Sequence, residues 1–133
     1  MILGIGIDTI SVNRIEGLIL KFGEKFQEKI FTDNEINKAS LKSTPLQQIL
    51  FYAKRFAAKE AFSKALGLGI GRGVDFKDIE IDNDSFGKPF IKILNQKDQF
   101  IKKHFNVNNF TIHLSLSDTK DSALAMVTIS SDK

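Results

Sequence analysis

The segment from Arg55 to Ala65 contains the residues of this chain that are best suited to chemistry. It reads RFAAKEAFSKA, so charged and very small side chains are crowded into one short stretch. On a helix, Glu60 and Lys64 share a face because they are four residues apart. A smooth stripe of small residues is formed by Ala57, Ala61 and Ala65. One interpretation is a solvent-facing ion pair beside an alanine packing ridge. The other is a site that a backbone or a ligand approaches closely.

Asp8 is a second carboxylate with two interpretations. It follows the run Ile2 to Ile7, where apolar residues with glycines between them predict a strand that another backbone contacts closely. An aspartate at the end of a strand is usually a turn residue that bonds to its own backbone. Alternatively, Asp8 and Glu60 converge as oxygen ligands, which suits Mg²⁺ held by one or two carboxylates together with phosphates and water. The separation of Asp8 and Glu60 along the sequence does not decide between the turn residue and the metal ligand.

His113 belongs to a strand with a regular alternation of side chains. Between Phe110 and Ser117 the apolar residues occupy one face, and the other face carries Thr111, His113, Ser115 and Ser117. This row suits the binding of phosphates, and a solvated sheet face explains it equally well. The glycines of residues 67 to 73 do not form a phosphate loop, because they follow a helix and precede a strand. They predict a flexible connection that a ligand can approach, or a plain exit from the helix.

The elements that position these residues follow from periodicity and capping signals. Apolar residues at steps of three and four from Val12 to Ile30 predict an amphipathic helix that is interrupted or bent near Gly23. Its polar face carries Arg14. The run Thr32 to Glu35 fits a capping box and predicts the start of a short helix.

A long central helix is predicted from Thr44 and Pro45 to a glycine cap at Gly67, about six turns in length. The segments predicted after it are a hairpin, a short helix and two strands: 76–81 with 89–94, 98–105, 110–117 and 123–129. The predicted fold class is therefore α+β, with an antiparallel sheet packed on one long helix and shorter helices.

The amino-acid composition limits the classes of protein to which this chain can belong. We expect residues 1–133 to form a single domain, and the 42% of hydrophobic residues is enough for a core. Without cysteine, any metal must be held by oxygen or imidazole, and a reducing cytoplasm is expected. The apolar start is too short for a signal sequence or a membrane span. The net charge of +3 permits an acidic partner or a phosphate ligand, but falls short of the basic stripe of a nucleic-acid binder.

The chain resembles the holo-acyl-carrier-protein synthases, the small homotrimeric branch of the phosphopantetheinyl transferase family. The similarity runs nearly end to end. The residues that carry it are Gly4-Ile5-Gly6-Ile7-Asp8, Arg14-Ile15-Glu16, the whole of residues 55 to 65, Gly69-Ile70-Gly71, Gly87-Lys88-Pro89 and His113-Leu114-Ser115-Leu116-Ser117. The long helical motif is highly specific, whereas the glycines alone would not be.

The resemblance implies a phosphopantetheinyl transferase fold and a transfer reaction. The 4′-phosphopantetheine group of coenzyme A would pass to a serine of apo acyl carrier protein for fatty acid biosynthesis, releasing 3′,5′-ADP. Asp8 and Glu60 would hold Mg²⁺ at a site between two subunits of a homotrimer. The serine hydroxyl would attack the β-phosphorus, with Glu60, or a water that it orients, as the base.

The resemblance also implies roles for residues outside the metal site. Lys64 would act in catalysis at the pyrophosphate of coenzyme A, and Arg14 would face the acidic helix of the carrier protein. The other residues expected to bind coenzyme A are Arg55, Gly87, Lys88, Pro89 and His113.

Two departures from the family pattern bear on these roles. Phe86 stands where relatives can have asparagine, and Asp118 stands where relatives can have histidine. They put contacts to adenine and a second imidazole in question, while both expected metal ligands are present. The alternative class is a small basic module that binds nucleotides or RNA without chemistry. Two carboxylates in a phosphate site favour the enzyme, because such a module gains nothing from them without a metal.

Overall fold

The computed structural model describes residues 1–132. Along the chain the elements are β1 (Ile2–Ser11), α1 (Val12–Phe22), α2 (Glu24–Ile30), α3 (Asp33–Ser40), α4 (Pro45–Leu66), a 3₁₀ helix (Phe76–Asp78), β2 (Ile79–Asn83), β3 (Pro89–Ile93), α5 (Lys97–Phe105), β4 (Thr111–Asp118) and β5 (Ser122–Ser130). Helices and antiparallel strands are mixed as expected, so the predicted α+β class is confirmed. No helix within the described residues combines the length and apolar character needed to cross a membrane.

The strands form two sheets rather than the one that was expected. β1, β5 and β4 form an antiparallel sheet in that order, with β5 in the centre, and β2 pairs only with β3. Alternation of side chains in the sequence identifies a strand, but the pairing of strands depends on contacts between distant segments. The local sequence therefore does not show that β2 and β3 form a sheet of their own.

β1 is longer than predicted, and this changes the place of Asp8. The strand was expected to end at Asp8, yet it continues to Ser11 because β5 supplies a partner for each residue from Gly4 to Ser11. Asp8 lies opposite Ala125 in the middle of the ladder. The interpretation of Asp8 as a turn residue is therefore wrong.

The helix boundaries agree with the capping signals. Gly23, with φ of 56°, ends α1 and starts α2, which confirms the predicted interruption. Thr32 and Glu35 form the expected capping box. The Thr44 hydroxyl accepts a hydrogen bond from the backbone of Gln47, and Gly67 closes α4 with φ of 79° in the left-handed region.

The inner face of the three-stranded sheet packs directly on the backbone of α4. A Cβ atom added to Gly6 would lie 1.8 Å from the backbone oxygen of Ala61, and one added to Gly4 would lie 1.9 Å from that of Ala65. Only glycine on the strand and small residues on the helix permit this approach. The stripe of alanines thus serves to admit another backbone, which was one of the expected possibilities.

A buried ion pair fixes the other side of α4. Lys59 Nζ donates hydrogen bonds to Glu35 Oε1 at 2.7 Å, to Ile30 O at 2.8 Å and to Phe76 O at 3.0 Å. The second carboxylate oxygen of Glu35 accepts from the backbone N–H of Ile81 at 2.8 Å. Burial lowers the pKa of Lys59, and the charge of Glu35 acts in the opposite direction. The sequence predicted Glu35 only as a helix cap, so this second role was missed.

We expect Gly6→Ala to unfold the protein or to destabilise it strongly. The new methyl group would collide with backbone atoms, so relief requires β1 and α4 to separate, at a cost of about 3 kcal/mol or more. Gly17→Ala is the matched control, since Gly17 lies on α1 with open space around its Cα position. That change should stabilise by roughly 0.5–1 kcal/mol through helix propensity. Urea unfolding of both variants tests this, and equal midpoints for Gly6→Ala and wild type would contradict the close approach.

Candidate active site

Asp8 and Lys64 meet where β1 passes over α4. Lys64 Nζ lies 3.2 Å from Asp8 Oδ1 and 3.0 Å from the backbone oxygen of Ile7. Asp8 faces α4 because it is two residues beyond Gly6 on the same strand. Its side chain is 17% exposed, whereas that of Lys64 is 55% exposed. The carboxylate is therefore held in place by packing, and most of the lysine side chain lies in solvent.

Glu60 is half-buried beside this pair. Burial raises the pKa of Glu60, and the negative charge of Asp8 raises it further. Lys64 and Arg14 act in the opposite direction, and the net effect on this pKa is upward. The structure thus brings together a charged cluster, which we define as Asp8, Glu60, Lys64 and Arg14. Lys64 makes its ion pair with Asp8, so the interpretation of a purely solvent-facing pair with Glu60 is wrong.

Arg14 stands at the exposed edge of the charged cluster. It lies in the first turn of α1, where its backbone N–H donates a 3.0 Å hydrogen bond to the capping hydroxyl of Ser11. Ser11 is the last residue of β1, so a single strand positions both Asp8 and the start of α1. The Arg14 side chain is therefore accessible to a partner that approaches the cluster from solvent.

Arg55 lies apart from the charged cluster. Its side chain is turned towards the β2–β3 hairpin, where Nη2 donates a 2.7 Å hydrogen bond to Asn83 Oδ1. The guanidinium carbon lies 3.7 Å from the centre of the Phe51 ring. Burial lowers the pKa of Arg55, opposed by the charges of Glu35 and Asp82. Its buried Nε has no hydrogen-bond partner among residues 1–132. Most buried donors in folded proteins have a partner, so this nitrogen marks Arg55 as a residue whose role is not purely structural.

A cavity of about 560 Å³ opens beside Arg55. The cations in its lining are Lys42, Lys54 and Arg55. The lining contains three cations and no carboxylate, so it attracts an anion, although Asp118 offsets part of the charge of Lys54. Lys42 and Lys54 had no signal in the sequence, because their place in this wall depends on how the residues around 42 pack against α4.

The expected turn residues Gly87, Lys88 and Pro89 join the Arg55 region. Asn83 Nδ2 donates to the backbone oxygen of Gly87 at 2.9 Å, while Asn83 Oδ1 accepts from Arg55. Asp84 Oδ1 accepts from the backbone N–H of Lys88, also at 2.9 Å. Asn83 therefore links α4 to the turn, which the sequence did not predict.

The two departures from the family pattern lie outside the charged cluster. Phe86 is 95% exposed at the tip of the hairpin. Asp118, at the end of β4, forms an ion pair with Lys54 at 3.7 Å. The charges that shift the pKa of Glu60 are those of Asp8, Lys64 and Arg14, so Asp118 does not act on this carboxylate.

His113 lies on the opposite side of the sheet from Asp8. Asp8 faces α4, whereas His113 is exposed on the outer face, where its Nε2 lies 2.9 Å from Ser130 Oγ. Ile5, Thr128 and His113 are neighbours across the three strands, and all point outward. One protomer therefore does not bring His113 to the charged cluster.

The outer face of the sheet also carries an apolar surface. We define it by four exposed residues at the centre of the face: Ile5, Ile7, Leu124 and Met126. Their exposed fractions run from 39% to 57%. The polar row of β4, which contains His113, borders this apolar surface. A contiguous exposed apolar area beside polar residues is typical of an interface.

The charged cluster has the donor chemistry for a hard divalent cation. Within residues 1–132, no group of three or more His, Cys, Asp or Glu side chains is placed to hold a metal ion. Asp8 and Glu60 supply carboxylates, and the ammonium of Lys64 already occupies a cation position beside Asp8 and the oxygen of Ile7. Such a donor set fits Mg²⁺, which keeps several waters and shares phosphates with its substrate.

Comparisons with known proteins agree with one another. A model of the 4′-phosphopantetheinyl transferase superfamily matches residues 4–127. The holo-[acyl-carrier-protein] synthase of Bacillus cereus (strain ATCC 14579) is 46% identical over 132 residues, covering 98% of each chain. That of Anaplasma phagocytophilum (strain HZ) is 43% identical over 129 residues, covering 97% of this chain and 98% of that protein.

Solved structures show the same similarity. The holo-(acyl-carrier-protein) synthase of Bacillus anthracis str. Ames, in complex with CoA (3′,5′-ADP), has a TM-score of 0.79 and 43% identity, covering 97% of this chain and 96% of that one. The Neisseria meningitidis holo-[acyl-carrier-protein] synthase has a TM-score of 0.86 and 37% identity, with 98% and 100% coverage.

We expect Glu60→Gln to stabilise the metal-free protein at neutral pH. The pKa of Glu60 is raised in the folded state, so the folded protein holds this proton more tightly than the unfolded chain does. The protonated carboxyl group therefore stabilises the fold below the unfolded pKa of 4.5, and this contribution is lost as the pH rises through the folded pKa. Above that window the ionised carboxylate opposes folding, and glutamine removes this cost. Glu60→Gln should therefore melt at a higher temperature than wild type at pH 7.5, with the difference shrinking near pH 4.5. Glu28→Gln, at an exposed position on α2, is the control. A lower melting temperature for Glu60→Gln at pH 7.5 would contradict the prediction.

Proposed function

Since the chain belongs to the 4′-phosphopantetheinyl transferase superfamily, in its holo-[acyl-carrier-protein] synthase family, we propose that it makes holo acyl carrier protein for fatty acid biosynthesis. It transfers the 4′-phosphopantetheine group of coenzyme A to a serine of apo acyl carrier protein. The observation that carries this function is the match over 97–98% of the chain to the synthases. The convergence of Asp8 and Glu60 supports it independently, since the two carboxylates lie far apart in the sequence.

The reaction exchanges one phosphoester link for another. The serine hydroxyl attacks the phosphorus that carries pantetheine, and the bond from that phosphorus to the bridging oxygen breaks, so 3′,5′-ADP leaves. The serine loses its proton in this step. Glu60, or a water hydrogen-bonded to it, accepts this proton, and its raised pKa suits a base better than an ordinary glutamate.

Asp8 and Glu60 would hold Mg²⁺ together with oxygens of the pyrophosphate. When bound, Mg²⁺ neutralises negative charge on the phosphates. Lys64 lies on the exposed side of the charged cluster. There it would add a positive charge near the bridging oxygen of the pyrophosphate, which gains negative charge as 3′,5′-ADP leaves.

The Arg55 cavity and the neighbouring turn are suited to the nucleotide end of coenzyme A. Arg55, Lys42 and Lys54 line the cavity, so a phosphate there would meet several cationic donors. Gly87, Lys88 and Pro89 are held beside Arg55 through Asn83. These residues would contact the nucleotide while Asp8 and Glu60 act on its pyrophosphate.

We propose a homotrimer with sites between subunits. The apolar surface on the outer face of the sheet calls for a partner, and His113 borders it on the side away from Asp8. Packing that surface against another subunit would bring His113 to coenzyme A phosphates held by the neighbour's charged cluster. Closed homo-oligomers commonly bury such faces.

Arg14 would contact the acyl carrier protein. It is exposed at the edge of the charged cluster, so the carrier helix could lie against α1 while its serine reaches Glu60. The protein is further proposed to be a single cytoplasmic domain over residues 1–133, in line with its small size and its lack of cysteine.

We expect Asp8→Ala and Glu60→Ala each to lower the rate of transfer by about two orders of magnitude or more, because both carboxylates would hold Mg²⁺ beside the phosphates. Mass spectrometry of apo carrier protein incubated with coenzyme A and Mg²⁺ measures the transfer. Glu28→Ala is the control for loss of an exposed carboxylate. The circular dichroism spectra of both variants should match that of the wild type, which would show that they are folded. A near wild-type rate in either variant would overturn the metal assignment.

A mixing experiment tests the shared site. We expect Asp8→Ala and His113→Ala homotrimers to be impaired, and trimers assembled from both chains together to recover activity. If each site takes Asp8 from one subunit and His113 from another, about a quarter of the sites in a random mixture are intact. Light scattering should show trimers in every sample. Activity no higher than the mean of the two variants would contradict the arrangement.

A further inference from the structure

The contact between Lys64 and Asp8 occupies one oxygen of a carboxylate to which the proposed function assigns the metal. Lys64 Nζ lies 3.2 Å from Asp8 Oδ1 and 3.0 Å from Ile7 O, so one ammonium bonds two oxygens of β1 at once. Asp8 is the more buried partner, and its position is fixed by the packing of β1 against α4. A divalent cation approaching Asp8 therefore meets a positive charge at bonding distance from the same carboxylate.

The two lysines on this part of α4 differ in their freedom to move. Lys59 is fully buried and satisfies three acceptors, so its ammonium cannot leave without abandoning a buried carboxylate. The side chain of Lys64 is 55% exposed, so water can replace its hydrogen bonds at little cost in free energy. Lys64 is thus a displaceable cation, whereas Lys59 is a structural one.

We propose that Lys64 occupies the place of the metal at Asp8 in the ligand-free protein and is displaced when a divalent cation binds. The inference rests on the proposed function, which assigns the metal to Asp8 and Glu60. Lys64 then lowers the affinity of the protein for metal alone. A metal and an ammonium near one carboxylate repel each other, and they compete for the same oxygen.

The pyrophosphate of coenzyme A provides the displaced lysine with a new partner. Without coenzyme A, metal binding breaks the Lys64–Asp8 pair and leaves the ammonium beside a second cation. With coenzyme A, the ammonium can pair with phosphate oxygens while the metal takes Asp8. Lys64 therefore couples the two ligands, so that each binds better when the other is present.

A purely structural salt bridge makes a different prediction. If Lys64 only ties β1 to α4, its removal lowers the melting temperature and leaves metal affinity unchanged, or weakens it by loosening Asp8. Competition predicts the opposite sign for metal affinity. The sign of the change thus separates the two roles.

The test is the affinity of Lys64→Met for Mn²⁺ alone, with free Mn²⁺ measured by electron paramagnetic resonance and no coenzyme A present. Methionine keeps much of the length of lysine without its charge. We expect Mn²⁺ to bind about threefold to tenfold more tightly than to wild type, the range that follows from loss of an exposed ion pair together with a nearby repulsion. Lys64→Gln, which keeps polarity, should change the affinity in the same direction.

Lys92→Met is the matched control. Lys92 is also an exposed lysine paired with an aspartate, at 3.5 Å from Asp82 Oδ2, and its loss changes the net charge equally. Its Mn²⁺ affinity should equal that of wild type. A gain of the same size in Lys92→Met would show a general charge effect and overturn the proposal.

A second titration with coenzyme A present distinguishes failure of this proposal from failure of the proposed function. Coenzyme A should tighten Mn²⁺ binding more in wild type than in Lys64→Met. Equal or weaker Mn²⁺ binding by both Lys64 variants without coenzyme A, or no binding by any of the proteins, overturns the competition. If wild type still binds Mn²⁺ with coenzyme A and Asp8→Ala does not, the metal assignment stands. If Mn²⁺ binding with coenzyme A is the same in Asp8→Ala, the assignment fails as well.

Discussion

The close packing of β1 on α4 is the contact on which the charged cluster depends. Gly6 lies against the backbone at Ala61, and Gly4 lies against that at Ala65. Asp8 follows Gly6 by two residues on the same face of the strand, while Glu60 and Lys64 directly precede the two alanines. A side chain at either glycine would move the strand outward by the width of a methyl group. The relative positions of Asp8, Glu60 and Lys64 would then change, so the two glycines shape the charged cluster without belonging to it.

Rotation of α4 about its own axis is set on its other side by Lys59 and Glu35. Successive residues of a helix point about 100° apart, so a fixed direction for Lys59 also fixes the direction of Glu60. The buried pair joins α4 to α3 and, through the backbone of Ile81, to β2. A buried ion pair often adds little net stability compared with apolar packing, but breaking one partner is costly. Its value here is geometric, because a single arrangement satisfies every donor and acceptor.

Local signals in the sequence predicted the parts of the fold that are locally determined. The capping box at Thr32, the proline start and glycine end of α4, and the interruption at Gly23 all depend on neighbouring residues, and all were confirmed. The extension of β1 beyond Asp8 depends on β5, which is more than 100 residues away. The partner of Lys64 was missed for the same reason. Asp8 and Glu60 were expected together through the resemblance, since spacing alone favoured a turn residue for Asp8 and a surface ion pair for Glu60.

The sheet divides the expected functional residues between its two faces, and this division favours assembly. Asp8 faces α4, and His113 faces outward beside the apolar surface. A strand points successive side chains in opposite directions, so no change of rotamer carries His113 through the sheet to Asp8. A single ligand can meet both only if the outer face of one subunit lies next to the charged cluster of another. Burial of the apolar surface would supply the free energy for that contact, and the polar row of β4 would then lie at its edge, where a charged ligand can stay in contact with water. The same surface would thus hold the subunits together and complete the site.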